Sequence, residues 1–121
     1  MPASQAHVLQ AEKNESLYLK LNSPALIGFE DWQITSLFYS ALHYVDAVLG
    51  KAGIHPTTHT QRAFWISHTS KLSGIERNYR LLEDYSRQAR YDLQEFNRSD
   101  AQEIKSQNFD PLKRHLLSAL G

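Results

Sequence analysis

Arg62 and His68, six positions apart, are the pair of side chains with the clearest catalytic potential in this sequence. Histidine titrates near neutral pH and can take the proton of an RNA 2′-hydroxyl without a metal. Arginine carries a fixed charge on a planar fork, which stabilises negative charge developing on a phosphate. Arg62 and His68 are therefore candidate catalytic residues for metal-independent RNA cleavage. The alternative is an arginine that faces solvent and a histidine that packs beside Trp65.

Helix geometry restricts how this pair could act. Six residues along a helix correspond to about 9 Å of rise and about 120° of rotation. The two side chains would therefore converge only through a bend in the helix or across two protomers.

Segment 51–91 carries a second group of candidates, since its seven basic and three acidic residues give it a net charge of +4. Such a segment favours contact with an anion. The predicted binding residues are His55, His59, Arg77, Arg87, Arg90 and Tyr91. The alternative is a solvated face on which acidic residues four positions before Arg80 and Arg87 form ordinary helix ion pairs. Arg77 and Arg90 have no such acidic neighbour.

His55 and His59 lie four positions apart around Pro56, a spacing that raises the question of a metal site. The chain has no cysteine, and no adjacent carboxylate completes a ligand set. The sequence therefore predicts no metal and no cofactor. His59 and Arg62 could instead form an anion pocket where the third helix begins.

The elements that position these residues are all predicted to be helices. Apolar residues recur at helical spacing, Phe38 and Val45 among them, and proline and glycine mark the breaks. Helices are predicted over 5–21, 31–49, 59–72 and 75–91, followed by a last helical segment up to residue 120. Capping boxes are predicted at Thr58 with Gln61 and at Ser99 with Gln102. The last segment is expected to restart at Pro111.

These predictions give an all-α fold: an antiparallel up-down bundle of four to five helices around a core rich in Trp, Phe and Tyr. The length of 121 residues indicates a single domain over 1–121, with residues 1–4 as a disordered tail.

Composition suggests where such a domain works. The absence of cysteine fits a reducing compartment, and the polar N-terminus does not resemble a signal peptide. No apolar run approaches the ~18 residues that a membrane span needs, so a cytoplasmic protein is expected. The net charge of zero argues against strong nonspecific nucleic-acid binding.

Two stretches of the sequence resemble the HEPN family of helical domains. The first combines Trp32, the run 37–49, the loop 53–56 and His59, and the second covers 79–92. The resemblance implies a helical bundle that often forms a two-fold dimer. It also implies association with toxin–antitoxin, phage-defence or nucleotidyltransferase partners.

Many HEPN proteins are metal-independent ribonucleases with an Arg-x(4–6)-His motif, and others lack the motif. Arg62 and His68 fit the spacing, but they precede the usual position near the fourth helix, and Ala63 replaces a polar residue. Two hypotheses follow. In the first, the chain is a non-catalytic module that binds a partner protein, a nucleotide or RNA through its 51–91 face. In the alternative, it is a dimeric ribonuclease that uses Arg62 and His68, helped by His59 and Arg90. A homodimer and an antitoxin or nucleotidyltransferase partner are expected.

Overall fold

The computed structural model describes residues 3–121, and every regular element within them is a helix. The expected all-α class is therefore confirmed. The helices are α1 (Ser4–Leu21), α2 (Glu30–Lys51), α3 (His59–His68), α4 (Glu76–Tyr91), α5 (Arg98–Ile104) and α6 (Asp110–Leu120). Single 3₁₀ turns occupy Pro24–Leu26 and Ser70–Leu72, and a π-helical segment, Lys105–Phe109, joins α5 to α6.

Helix α2 is the centre of the bundle. Its observed bounds extend the predicted 31–49 by one residue at the start and two at the end. Phe38 and Val45 are both fully buried, as predicted. Burial extends beyond one stripe of α2, because α1, α4 and α6 all pack against it.

Helix α1 runs antiparallel to α2, and two side-chain hydrogen bonds fix the pairing. The Ser4 hydroxyl donates to the Ala47 carbonyl over 2.7 Å. The Ser40 hydroxyl donates to the Ala11 carbonyl over 2.8 Å. The start of α1 therefore lies beside the end of α2, and the two backbones are held close together.

The remaining long helices alternate in direction around α2. Helix α4 is antiparallel to it, because Arg90 lies near Trp32 and Tyr79 lies near Phe38. The combined α5–α6 rod is parallel to α2. Its first residue, Arg98, pairs with Glu30, and Lys51 at the other end of α2 donates to the carbonyl of Leu120.

A new α-helix, α6, does start beside Pro111 as expected, but the break that was expected before it is absent, because the helical conformation is continuous from α5 to α6. The backbone N–H of Asp110 donates to the carbonyl of Lys105, five residues earlier, and Asp110 keeps helical angles of φ −61° and ψ −43°. A proline ring normally collides with the preceding turn. The wider π turn makes room for it without breaking the rod.

The second predicted cap is also wrong, and the first is confirmed in part. Asn97 and Asp100 form the capping box of α5, two residues before the expected Ser99 and Gln102. At α3, the Thr58 hydroxyl accepts from the N–H of Gln61 over 3.1 Å. In a standard capping box the Gln61 side chain would accept from the N–H of Thr58. Here it accepts instead from the N–H of Thr57, one residue earlier.

Helix α3 ends at His68 rather than at 72, because Thr69 has an extended backbone with φ −115° and ψ 117°. Ser4 belongs to α1 rather than to the tail expected over 1–4, and residues 1–2 lie outside the described part of the chain. Within residues 3–121, no helix has the length and apolarity that crossing a membrane would require.

The aromatic core differs from the expected one in its tryptophans. Trp32 is 55% exposed and Trp65 only borders the core. Phe38, Tyr44 and Phe109 supply the large buried rings instead. Trp32 is therefore a surface residue rather than part of the core.

Candidate functional site

Arg62 forms an ion pair with Asp46 in the interior of the bundle. Its Nε lies 2.7 Å from Asp46 Oδ1 and its Nη2 lies 3.0 Å from Asp46 Oδ2. The two side chains are only 8% and 7% exposed. Burial alone would lower the pKa of Arg62, but the hydrogen bonds and charge of Asp46 outweigh it and raise that pKa. Arg62 is therefore a permanently charged group whose charge is already neutralised.

His68 is held against its own helix. Its Nδ1 lies 2.8 Å from the carbonyl oxygen of Phe64, and its ring stacks on the Phe64 ring with centroids 4.1 Å apart. A carbonyl oxygen only accepts hydrogen bonds, so Nδ1 carries the proton. The stacking partner is Phe64 rather than the expected Trp65.

The structure does not bring Arg62 and His68 together within one protomer. Arg62 is directed into the bundle toward α2, whereas His68 is exposed at the end of α3. The alternative of a solvent-facing arginine is also wrong, because Arg62 is buried. An RNA phosphate would reach this guanidinium only if Asp46 released it.

The other histidines of the 51–91 face lie apart from one another. His59 is exposed, with Nδ1 3.6 Å from Glu83 of α4, and its ring approaches Phe38. His55 is half-buried and packs against Gly50. Across residues 3–121, no group of three or more His, Cys, Asp or Glu side chains is placed to hold a metal ion.

The arginines of α4 do not form the expected acid-first pairs. Arg87 approaches Asp84, three residues earlier, at 3.8 Å, and Glu83 faces His59 instead. Arg77 and Arg80 are exposed and have no ion pair in the described part of the chain. These two arginines are solvated charges on the outer face of α4.

Arg90 is held by aromatic rings rather than by a carboxylate. Its Nη1 donates to the Tyr39 hydroxyl over 3.0 Å, and its Nε donates to the Ser86 carbonyl over 3.3 Å. The guanidinium carbon lies 5.5 Å from the Tyr39 ring centroid and 4.9 Å from that of Tyr91. Cation–π contacts orient the guanidinium without neutralising its charge. Arg90 is thus a positioned cation that can still bind an anion.

A cavity of 310 Å³ opens beside Arg90, between the start of α2 and the end of α4. We call it the α2–α4 groove, lined by Asp31, Trp32, Thr35, Ala89, Arg90 and Leu93. A neighbouring cavity of 490 Å³ shares Asp31, Ala89 and Leu93 with it. The groove combines an aromatic surface, an aliphatic rim and charges of both signs.

Leu93 is the most unusual residue of this groove. It is 84% exposed and has φ +54°, the one non-glycine residue with positive φ among those described. A leucine in the left-handed region is conformationally strained, and exposure gives it no burial in compensation. The position itself is an ordinary helix end, because Leu93 follows the C-cap Asp92 of α4 and the N–H of Gln94 donates to the carbonyl of Gln88 over 3.2 Å. The unusual feature is that an exposed leucine, rather than glycine, occupies it.

No protein-family model matches this chain, and no curated protein matches its sequence. The similarity to HEPN domains therefore rests on the residues quoted above and stays a prediction.

Sequence reasoning selected Arg90 and Tyr91 but missed Trp32 and Leu93, which complete the groove. Tryptophan is expected in the core, and helical spacing alone does not show that Trp32 faces outward. Asp46 was also missed, although a signal was present: an acid within the apolar run 44–49 needs a partner.

Proposed function

We propose that this chain is a HEPN-like component of a prokaryotic toxin–antitoxin or phage-defence system, and that it binds a partner rather than cleaving RNA. One observation carries the proposal: the only arginine that fits the ribonuclease spacing is buried in an ion pair with Asp46. Arg90, which aromatic rings hold in place without neutralising its charge, lines the α2–α4 groove.

The ion pair makes catalysis by Arg62 unfavourable. Freeing its guanidinium would leave Asp46 as an unpaired charge in the interior, which costs about 3–5 kcal/mol in comparable pairs. His68 keeps an accessible Nε2, but a base without a cation beside it does not stabilise a phosphorane. The geometry of one protomer therefore supports a non-catalytic role.

The α2–α4 groove supports protein binding. Trp, Tyr and Arg are the residue types that dominate the binding energy of protein interfaces, and Trp32, Tyr91 and Arg90 present all three on one surface. We propose that the groove holds a partner segment with an apolar side chain against Trp32 and Leu93 and a carboxylate against Arg90.

A nucleotide is a weaker match for the same groove. Asp31 lines the cavity together with Arg90, and a carboxylate in the same cavity disfavours a phosphate by charge repulsion. A partner protein can use both charges, by placing a carboxylate at Arg90 and a basic side chain at Asp31. The resemblance to HEPN proteins points to an antitoxin or a nucleotidyltransferase as that partner.

Trp32 provides a direct test of binding. In a Trp65→Phe background, Trp32 is the one remaining tryptophan and reports on the groove by its fluorescence. Adding a purified antitoxin or nucleotidyltransferase protein as candidate partner should shift its emission to shorter wavelength. A shift with an RNA oligonucleotide or AMP, and none with the protein, would replace the proposed partner by a nucleic acid or nucleotide.

A cleavage assay tests the alternative ribonuclease. Purified protein is incubated with RNA beside the His68→Ala variant, and light scattering gives the oligomeric state in the same buffer. We expect no cleavage by either protein. Cleavage by a dimer that His68→Ala abolishes would establish the ribonuclease and overturn the non-catalytic role.

A further inference from the structure

His7 of α1 and His43 of α2 face each other across the helix pair, away from the α2–α4 groove. Their Nδ1 atoms are 3.0 Å apart, and their ring planes are inclined by 29° with centroids 5.3 Å apart. A centroid separation of 5.3 Å is close to the largest value possible for two imidazole rings whose Nδ1 atoms are 3.0 Å apart. The ring edges therefore meet, and the two Nδ1 lone-pair axes point at one another with one proton between them.

The backbone holds this pair in place from both sides. The Ser4–Ala47 bond lies about one turn to one side of the two histidines, and the Ser40–Ala11 bond lies about one turn to the other. Both links run between α1 and α2, so the separation of the two Cα atoms is fixed. Both imidazoles are half-buried, which leaves them accessible to a dissolved ion.

We propose that His7 and His43 form a two-ligand site for a late first-row divalent metal ion, which links α1 to α2. The ion takes the place of the proton between the two Nδ1 atoms, and that proton moves to Nε2 of the same ring, so that both imidazoles bind the metal as neutral ligands. Nitrogen ligands bind such ions at about 2.0–2.1 Å. Two nitrogens 3.0 Å apart at those bond lengths subtend an angle of roughly 95° at the metal. Each ring must turn by about 40° to aim its lone pair at the ion, and the backbone need not move.

The ligand type and angle select the ion. Neutral imidazole favours Cu²⁺, Ni²⁺ and Zn²⁺ over Mg²⁺ and Ca²⁺, which take oxygen ligands. An angle near 90° fits neighbouring positions of a square-planar or octahedral ion better than a tetrahedral one. Water completes the coordination, since no third protein ligand lies beside the pair in the described residues. Affinity should therefore decrease from Cu²⁺ to Ni²⁺ to Zn²⁺.

Ni²⁺ titration of the full chain, produced without a histidine tag, tests the site. Calorimetry should give one ion per chain, and saturating Ni²⁺ should raise the melting temperature by about 5 °C, because the ion binds only the folded pairing. Mg²⁺ at the same concentration should change neither quantity. The expected result for His7→Asn is loss of both effects, since one imidazole cannot chelate.

His115→Asn is the matched control, because His115 is an exposed histidine that bonds to the Lys71 carbonyl on another part of the surface. This variant should keep the full Ni²⁺ response. His43→Asn should repeat the result of His7→Asn, and if it fails to fold, His7→Asn decides alone. No binding by the wild type, or an unchanged response in a folded His7→Asn protein, would overturn the proposal.

Discussion

Arg62 and Arg90 are the same residue type in two contrasting settings. Arg62 lies in the interior, where its Nε and Nη2 both donate to the Asp46 carboxylate, and neither side chain is more than 8% exposed. Arg90 lies at the edge of a groove between two tyrosine rings, with its charge uncompensated by any described carboxylate. The first arginine joins α3 to α2, and the second faces a cavity that can hold part of another molecule.

The contrast shows that the partner of an arginine, rather than its sequence spacing, decides what it can do. A carboxylate takes up both charge and hydrogen bonds, whereas an aromatic ring orients the guanidinium and leaves its charge in place. Arg62 should therefore matter for stability and Arg90 for binding.

The largest effect is expected for Asp46→Ala. The change leaves the Arg62 charge buried and unpaired, so the free energy of unfolding should fall by about 3–5 kcal/mol in urea denaturation. The matched control is Asp84→Ala, since Asp84 is 50% exposed and lies 3.8 Å from Arg87. That control should change stability by no more than about 0.5 kcal/mol. Equal losses in the two variants would remove the distinction between buried and surface pairs.

An intermediate effect is expected for Arg90→Ala, and it concerns partner affinity rather than stability. Affinity for the partner protein should fall at least tenfold, or about 1.4 kcal/mol, because the variant loses the one cation in the groove. Stability should fall by about 1–2 kcal/mol, less than for Asp46→Ala, since cation–π contacts with two tyrosines and hydrogen bonds to Tyr39 and Ser86 are lost at a half-exposed site.

Arg80→Ala is the control for that experiment, because Arg80 is an exposed arginine on the same helix and does not line the groove. It should bind the partner as the wild type does. If both variants weakened binding to the same extent, the effect would come from the overall charge of α4 and the groove would lose its role.

The smallest effect is expected for Leu93→Gly. Glycine adopts φ +54° without strain, so the variant should gain about 0.5–1 kcal/mol of stability even though glycine loses more backbone entropy. Little burial is lost, because Leu93 is 84% exposed. Partner binding should weaken at the same time. A variant that loses stability would show that this leucine packs in solution and is not a strained recognition residue.

Much of the fold could be predicted from local patterns. Apolar residues at helical spacing and flanking glycine located α2 to within two residues, and Thr58 located the start of α3. The wrong predictions concern helix boundaries that helical spacing of apolar residues does not determine. The expected break at Pro111 is absent because a π turn accommodates the ring, and the backbone angles of Thr69 end α3 early.

The candidate site was less predictable, because its decisive contacts join distant residues. Arg62 and Asp46 are separated by a loop, and Tyr39 and Arg90 lie 51 positions apart. Arg90 was selected because no acid precedes it at helical spacing, which is local information. The pairing of its cation with aromatic rings, and the exposure of Trp32, depend on how α4 packs on α2.

A double-mutant cycle between Arg62 and Asp46 tests the central claim most directly. Arg62→Met, Asp46→Leu and the double variant replace the charges by apolar groups, and their unfolding free energies give the coupling between the two positions. A buried ion pair predicts a coupling of at least ~2 kcal/mol, with the double variant more stable than either single one. A coupling below about 0.5 kcal/mol would show that the two charges are solvated independently, and Arg62 would again be available to a phosphate.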